Sequence, residues 1–167
     1  TTYNYDASGE LLSALPGETF SYDLNGNRTS VTTGTANRAL TDGTFDYSYD
    51  EEGNLTQKRQ LSNGEVTDYL YDHRNRLTSV TRKSSTGTIL STSSYGYDVS
   101  NRRIRKTVNG VTTYSLYNDE DTWADYDSGL NITARYLYGE RIDEILARHR
   151  PIDGLMCYLP DKLGSIQ

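Results

Sequence analysis

Residues 47–56 read Tyr-Ser-Tyr-Asp-Glu-Glu-Gly-Asn-Leu-Thr, and this stretch decides the fold. Its two tyrosines stand two positions apart, so in a β-strand they lie on the same face. The aspartate can open a tight turn by accepting backbone N–H groups, and the glycine three residues later suits a position that needs a positive φ. The asparagine, leucine and threonine then begin a return strand. The stretch therefore predicts one β-hairpin.

The same pattern, aromatic-x-Tyr-Asp-x-x-Gly/Asn, occurs five times between residues 3 and 101, with copies about 17 to 27 residues apart. A period in this range is typical of repeat architectures. The predicted turn residues are Asp6, Gly9, Asp23, Gly26, Asp50, Gly53, Asp72, Asn75, Asp98 and Asn101. The predicted tyrosine rows consist of Tyr3, Tyr5, Tyr22, Tyr47, Tyr49, Tyr69, Tyr71, Tyr95 and Tyr97, with Phe20 at the first position of the second copy. Weaker copies follow at residues 114–118, 126–130 and 136–139.

A second kind of turn lies between the repeats. Asn63-Gly64, residues 85–87 and Asn109-Gly110 are flanked by β-branched residues. Asn-Gly in that setting is a strong hairpin signal. Because the two turn types alternate, we predict an all-β fold: a winding antiparallel meander of roughly 14 to 16 short strands, curved as a partial shell or spiral strip.

The repeats predict a single β domain over residues 1–167, with clear hairpins over 1–113 and degenerate repeats over 114–167. The only helical spacing lies in residues 141–148, for which we predict a short helical turn that Pro151 would end. The chain starts inside a repeat without an initiating methionine, so we expect a processed piece or a fragment.

The composition argues against several classes of protein. Only 34% of the residues are hydrophobic and 15 are tyrosine, so tyrosine must carry much of the packing. There are 17 Lys+Arg against 23 Asp+Glu, without a basic patch, which argues against nucleic acid as a partner. No apolar run approaches the roughly 20 residues that span a bilayer. Cys157 is the single cysteine, so an intramolecular disulfide is excluded and we expect a small buried side chain.

The polar residues do not assemble a recognisable chemical site. The acidic residues between 119 and 127 are predicted to form a solvated loop, with a glycosidase-like carboxylate pair or a calcium site as the alternatives. His73 and His149 show no zinc-ligand spacing. We therefore predict no catalytic residue, no metal and no cofactor, and a protein that is not an enzyme. Three Asn-x-Thr sequons occur, at Asn27, Asn54 and Asn131, and we favour strand-entry residues over glycan sites.

The repeated Tyr-Asp-x-x-Gly-Asn-Leu-Thr resembles the YD-repeat family, which includes bacterial Rhs proteins, the C components of insecticidal toxin complexes, wall-associated bacterial proteins and the extracellular domains of teneurins. Residues 136–148 and 158–166 are similar to the segment that precedes the family's core-closing region. The residues that carry this second similarity are Asp143, Glu144, Asp161, Gly164 and Ser165. The resemblance implies a β-sheet strip that spirals into a hollow shell around a toxin or other polypeptide. The self-cleaving aspartates of some members have no matching positions here.

Two functions follow as hypotheses. The first is a non-enzymatic segment of a secreted or cell-surface shell that encloses a polypeptide cargo, with the tyrosine rows packed on the concave face. The second is an extracellular adhesive or filament-forming element. It would pair with its own or a neighbouring YD-repeat chain through free edge strands, and its tyrosine rows would bind carbohydrate.

Overall fold

The computed structural model describes residues 3–14, 17–140 and 144–158. Antiparallel strands dominate, and the helical structure of the described residues is one 3₁₀ turn at Thr35–Asn37. The strands are β1 (Tyr3–Tyr5), β2 (Leu11–Ala14), β3 (Glu18–Thr19), β4 (Thr32–Thr33), β5 (Ala39–Thr41), β6 (Phe45–Tyr49), β7 (Leu55–Gln60), β8 (Val66–Tyr71), β9 (Leu77–Lys83), β10 (Ile89–Tyr97), β11 (Arg103–Val108), β12 (Val111–Asn118), β13 (Asp121–Asp127), β14 (Ile132–Tyr138), β15 (Ile145–Arg150) and β16 (Gly154–Cys157). The predicted all-β antiparallel meander is confirmed, whereas its curvature stays a prediction.

The chain divides into two compact units. Unit 1 comprises residues 1–76 and 81–90, and unit 2 comprises residues 77–80 and 91–167. Strands β1 to β3 form a three-stranded sheet, and β4 to β16 form a 13-stranded sheet in which hydrogen-bonded neighbours follow the order of the sequence. Of the residues similar to the family's C-terminal segment, Glu144 precedes β15, and Asp143, Asp161, Gly164 and Ser165 lie outside the described residues.

The YD hairpins contain β-bulges at equivalent positions. Tyr49 lies opposite Leu55, whereas Ser48 lies opposite Gln57, so Thr56 is an extra residue on the return strand. A bulge of this kind increases the local twist and re-aims the neighbouring side chains. The extra residues of this and the equivalent hairpins are Leu12, Leu40, Thr56, Ile104, Trp123, Thr133 and Leu146.

Little of the described chain is fully buried. The buried apolar residues are three alanines of unit 2, Ala124 (0% exposed), Ala134 (4%) and Ala147 (7%). Most of the repeat tyrosines are half-buried, but Tyr3 and Tyr5 in the first repeat are 52% and 58% exposed. Side chains on the sheet are therefore covered only in part by their neighbours. The large tyrosine ring suits such positions, because it can bury its apolar surface while its hydroxyl stays near water or a polar partner.

The predicted helical turn at residues 141–148 is wrong where the structure describes it. Residues 145–150 form β15, because Ala147 lies opposite Leu137 and Arg148 lies opposite Tyr136 on β14. A helical turn of this length would satisfy few of its own backbone groups, whereas strand pairing satisfies them against a neighbour that is already in place.

Two other predictions are also wrong. The acidic segment is a tight hairpin, with a turn at residues 119–120 that leads directly into β13, because cross-strand pairing with β12 extends to Asp121. Cys157 is exposed, because it lies on β16 at the end of the sheet, and among the described strands β16 pairs with β15 alone.

Candidate functional site: the tyrosine–aspartate turns

Six aspartates open turns with nearly the same hydrogen bonds. In the turn at Asp72, the aspartate N–H donates to the carbonyl of Arg76 (3.0 Å), and the N–H of Asn75 donates to the carbonyl of Asp72 (2.9 Å). One carboxylate oxygen, Oδ1, also accepts the N–H groups of Arg74 (2.9 Å) and Arg76 (3.1 Å). The carboxylate thus satisfies backbone donors that the turn leaves unpaired. The equivalent turns begin at Asp6, Asp23, Asp50, Asp98 and Asp127.

The side chain four residues after the aspartate binds the second carboxylate oxygen. Arg76 pairs with Asp72 at 2.7 Å, and Arg102 pairs with Asp98 at 2.7 Å. The hydrogen bond from Arg76 is the largest of the effects that lower the pKa of Asp72 to about 2. Asparagine donates in the same way in three other turns, from Asn27 to Asp23, Asn54 to Asp50 and Asn131 to Asp127.

The amide nitrogens of the three sequons are engaged in these turns. Asn54 Nδ2 donates to Asp50 Oδ2 (2.9 Å) and to Asn75 Oδ1 (2.9 Å) of the following turn. A glycan would attach to this nitrogen, so the contacts favour the structural role predicted for the sequon asparagines.

The third residue after the aspartate has a positive φ. Gly53 (95°), Asn75 (59°) and Asn101 (66°) hold this position, as the repeat pattern predicts. In the turn that begins at Asp127, however, the position is held by Leu130, with φ 64°, and not by the neighbouring Gly129. A leucine in this region is strained, because its Cβ approaches the following carbonyl oxygen.

The tyrosine before the turn aspartate, or before Asn118 in the weaker copy at residues 114–118, contacts the preceding hairpin. The hydroxyl of Tyr71 donates to the carbonyl of Leu55, which lies five residues after the preceding turn aspartate, Asp50. The same spacing holds wherever the bond is described. These bonds join Tyr22 to Leu11 (2.9 Å), Tyr71 to Leu55 (3.1 Å), Tyr97 to Leu77 (2.8 Å) and Tyr117 to Arg103 (3.0 Å). Each bond ties one hairpin to the one before it, a link that the sequence pattern does not show.

The corresponding bond of Tyr49 identifies a turn that sequence reasoning missed. Its hydroxyl donates to the carbonyl of Ala39 (3.0 Å), five residues after Gly34. Residues 34–38 do form a turn, because the N–H of Gly34 donates to the carbonyl of Arg38 at 2.8 Å. Glycine thus stands where the other turns have aspartate.

Asn37 and Arg38 complete the likeness of this turn to the others. Asn37 has a positive φ of 55°, and Arg38 donates to the carbonyl of Asp50 at 2.9 Å. The Asn-Arg pair repeats Asn75-Arg76 in the clear copy, and this was the signal available in the sequence. The turn was missed because residues 33 and 34 are Thr-Gly and not the Tyr-Asp pair of the repeat pattern.

Tyr47 and Tyr69, the first aromatic residues of their repeats, and the neighbouring Phe45 have polar, cationic or apolar surroundings. Tyr47 donates to Asp42 Oδ2 at 2.7 Å, and this bond is the largest of the effects that raise the pKa of Tyr47 to about 12. The Lys58 ammonium lies 3.7 Å from the centroid of the Phe45 ring. Burial raises the pKa of the Tyr69 hydroxyl. These contacts favour packing over the stacking of carbohydrate on the rows.

The remaining candidate residues are not brought together. His73 is exposed in the turn that begins at Asp72. Within residues 3–14, 17–140 and 144–158, no group of three or more His, Cys, Asp or Glu side chains is placed to hold a metal ion. In the same part of the chain, no helix is long and apolar enough to cross a membrane.

These features define a protein built of repeated YD hairpins, each bound to its predecessor by a tyrosine hydroxyl. The profile of the Teneurin YD-shell family matches residues 1–150, and the chain belongs to that family.

Sequence relatives are much longer proteins. The chain is 32% identical over 131 residues to the tRNA nuclease WapA of Bacillus subtilis (strain 168), which covers 77% of this chain and 4% of WapA. It is 33% identical over 130 residues to the tRNA(Glu)-specific nuclease WapA of Bacillus subtilis subsp. natto (strain BEST195), again 77% of this chain and 4% of the relative. A crystal structure of TcdB2-TccC3-Cdc42 aligns with 99% of this chain and 9% of its own, at 15% identity and a TM-score of 0.44.

Proposed function

We propose that this chain is a non-catalytic segment of the wall of a YD-repeat shell, and that the wall encloses a polypeptide such as a toxin domain. The chain would act outside the cell, in a secreted or cell-surface protein. The matched segment is 4% of WapA, so under this proposal the activity in that relative's name belongs to its other parts.

The observation that carries the proposal is the repeated bond from tyrosine to the preceding hairpin. Turn aspartates stabilise each hairpin internally, but the tyrosine hydroxyls couple successive hairpins, in unit 1 through Tyr22, Tyr49 and Tyr71 and in unit 2 through Tyr97 and Tyr117. An enclosing wall needs this coupling, because a gap between hairpins would admit solvent and proteases. A catalytic site would instead need an activated nucleophile or an acid–base pair.

Protease protection tests the proposal. The natural protein that contains residues 1–167 is treated with proteinase K, and the surviving fragments are identified by mass spectrometry. We expect this segment and a separate enclosed region to resist digestion together. Replacing Tyr22, Tyr71 and Tyr97 by phenylalanine should expose the enclosed region at a lower temperature, while Tyr5→Phe should not, because Tyr5 is already exposed in the first repeat.

Enclosure would be contradicted if no region outside residues 1–167 resisted digestion in the wild type, or if such a region were digested at the same temperature in the wild type and the triple variant. Filaments that grow with protein concentration, seen by electron microscopy and light scattering, would favour the self-assembling element instead.

A further inference from the structure

One sheet face of unit 2 carries exposed apolar and cationic side chains in continuous cross-strand rows. We call it the unit 2 face. Residues directly opposite each other on paired strands point to the same side of the sheet. Its rows are Arg105–Tyr114, Leu116–Ala124–Arg135–His149–Leu155 and Leu137–Ala147–Cys157, with the bulge residue Trp123 beside Ala124.

The apolar members of this face remain accessible. Ala124 and Ala147 are buried, with 0% and 7% exposure, and lie between larger side chains of the same rows. The larger side chains on the face are Tyr114 (41% exposed), Leu116 (44%), Trp123 (44%), Leu137 (60%) and Leu155 (68%). Contiguous exposed apolar side chains of this kind mark interaction surfaces, and Trp, Tyr and Arg are the residues that most often dominate binding energy.

The charged side chains of these three rows are cationic, and a carboxylate on the same side of the sheet, Asp121, lies outside the rows, opposite Asn118. Arg105 and Arg135 lie in the rows, and the Arg135 guanidinium is 5.6 Å from the centroid of the Trp123 ring. The rows themselves include no carboxylate, although the chain has a formal net charge of −6. The arginines therefore project from an apolar surface without a carboxylate directly opposite them.

The equivalent polar cluster of unit 1 shows the contrast. There the carboxylate of Asp68 accepts hydrogen bonds from Lys83 Nζ (2.7 Å) and Gln57 Nε2 (2.9 Å) across three strands. On the opposite face, Glu65, which immediately precedes β8, pairs with Arg82 of β9 at 2.6 Å. The Asp68 carboxylate is thus matched within unit 1, whereas Arg105 and Arg135 lie opposite Tyr114 and Ala124 and not opposite a carboxylate.

We propose that the unit 2 face binds an acidic amphipathic polypeptide segment, whose apolar side chains cover the leucines and Trp123 and whose carboxylates pair with Arg105 and Arg135. Two arginines on an acidic chain are too few to neutralise a phosphate backbone or to hold an anionic bilayer. A sugar could stack on Trp123 or Tyr114, but it would leave the three exposed leucines uncovered. Apolar contact plus two charge-assisted hydrogen bonds suits a peptide. This binding does not depend on the proposed enclosure of a cargo.

Trp123 is the only tryptophan of the chain, so its fluorescence reports directly on the face. The 167-residue chain is titrated with a synthetic peptide of alternating leucine and glutamate, and separately with a leucine–lysine peptide of the same length. We expect saturable 1:1 binding of the leucine–glutamate peptide with a blue shift of Trp123 emission, and at least tenfold weaker binding of the leucine–lysine peptide. Added salt should weaken the first interaction.

Variants locate the site. Leu137→Ser should weaken binding of the leucine–glutamate peptide at least tenfold, and Arg105→Gln with Arg135→Gln should weaken it several-fold and remove most of its salt dependence. The matched control is Leu70→Ser in unit 1, since Leu70 is 62% exposed and Leu137 is 60% exposed. Circular dichroism checks that each variant stays folded.

Three results would overturn the proposal. They are equal binding of the two peptides, an equal loss in Leu70→Ser, and tighter binding to RNA or to anionic phosphatidylserine vesicles than to the leucine–glutamate peptide.

Discussion

Two turns of unit 1 reach the same register by different chemistry. In the turn at residues 50–54, the carboxylate of Asp50 accepts the N–H of Asn54 at 2.7 Å. In the turn at residues 34–38 there is no carboxylate, and two consecutive residues, Ala36 and Asn37, have positive φ values of 58° and 55°. Aspartate therefore determines the conformation inside the turn.

The strands that leave the two turns are nevertheless paired alike. Tyr49 lies opposite Leu55 and Thr33 lies opposite Ala39, and each pair is followed by one extra residue on the return strand. Both return strands also offer a carbonyl to a tyrosine of the next hairpin. The comparison teaches that register, bulge and hairpin coupling form a unit that survives loss of the aspartate.

The largest effect should come from breaking the coupling at the glycine turn. Tyr49→Ala should lower the free energy of unfolding by about 2 kcal/mol, because it removes a half-buried ring together with the bond to Ala39. Tyr49→Phe, which removes only the hydroxyl, should cost about 1 kcal/mol. Urea unfolding followed by circular dichroism measures both values. An unchanged stability in Tyr49→Phe would show that the hydroxyl does not couple the hairpins.

A smaller effect should follow from giving the glycine turn its missing carboxylate. Gly34→Asp should raise the free energy of unfolding by about 1 kcal/mol, because Oδ1 can accept N–H groups of residues 36 and 38. The new Cβ would lie 3.0 Å from the Leu40 side chain, which must shift slightly. Gly34→Ala adds the same Cβ without the carboxylate and is the control. A gain of equal size in both variants would assign the effect to the loss of glycine and not to capping.

The strained leucine of another turn gives a still smaller effect. Leu130→Gly should raise the free energy of unfolding by about 0.5 kcal/mol, because the relief of strain at φ 64° exceeds the entropy that glycine adds to the unfolded chain. Leu24→Gly is the control, since Leu24 is exposed in the turn at Asp23 and has a negative φ. It should be destabilising. Thermal unfolding of both variants tests the difference, and a loss of stability in Leu130→Gly would contradict it.

The smallest expected effect is the share of one turn carboxylate in the pH dependence of stability. The pKa of Asp72 is about 2 in the folded chain and about 4 when unfolded. Since the folded value is the lower one, the contribution is fully present above about pH 4 and is lost as the pH falls towards 2. Asp72→Asn should therefore be less stable than wild type at neutral pH, and the difference should shrink over this window. A difference that stays constant from pH 7 to pH 2 in urea titrations would be contrary to this account.

The sequence predicts the hairpins because their cause is local. Aspartate and a residue that tolerates positive φ stand three positions apart, and both act within a single turn, as at Asp50 and Gly53. The bulges and the tyrosine acceptors are not local. They depend on which residue of another strand lies opposite, so Tyr71 gives no sign in its own repeat that it binds Leu55.

Where the local sequence pattern is weak, pairing with adjacent strands determines the secondary structure. Residues 145–148, part of the segment with helical spacing, become part of β15 because β14 offers a free edge for pairing. The acidic segment becomes part of a hairpin because the Asp125 carboxylate accepts hydrogen bonds from the hydroxyls of Ser115 (2.6 Å) and Tyr136 (2.8 Å) on the two adjacent strands. Solvation alone would have left it a loop.

The crystal structure of an Asp50→Gly variant would test the central claim most directly, because it converts the turn at residues 50–54 to the chemistry of the turn at residues 34–38. We predict that Tyr49 stays opposite Leu55, that Thr56 remains the extra residue, and that the Tyr71 hydroxyl still donates to the Leu55 carbonyl. A shift of register in β7, or a Tyr71 hydroxyl turned away from Leu55, would show that the aspartate and not the coupled strands fixes the repeat.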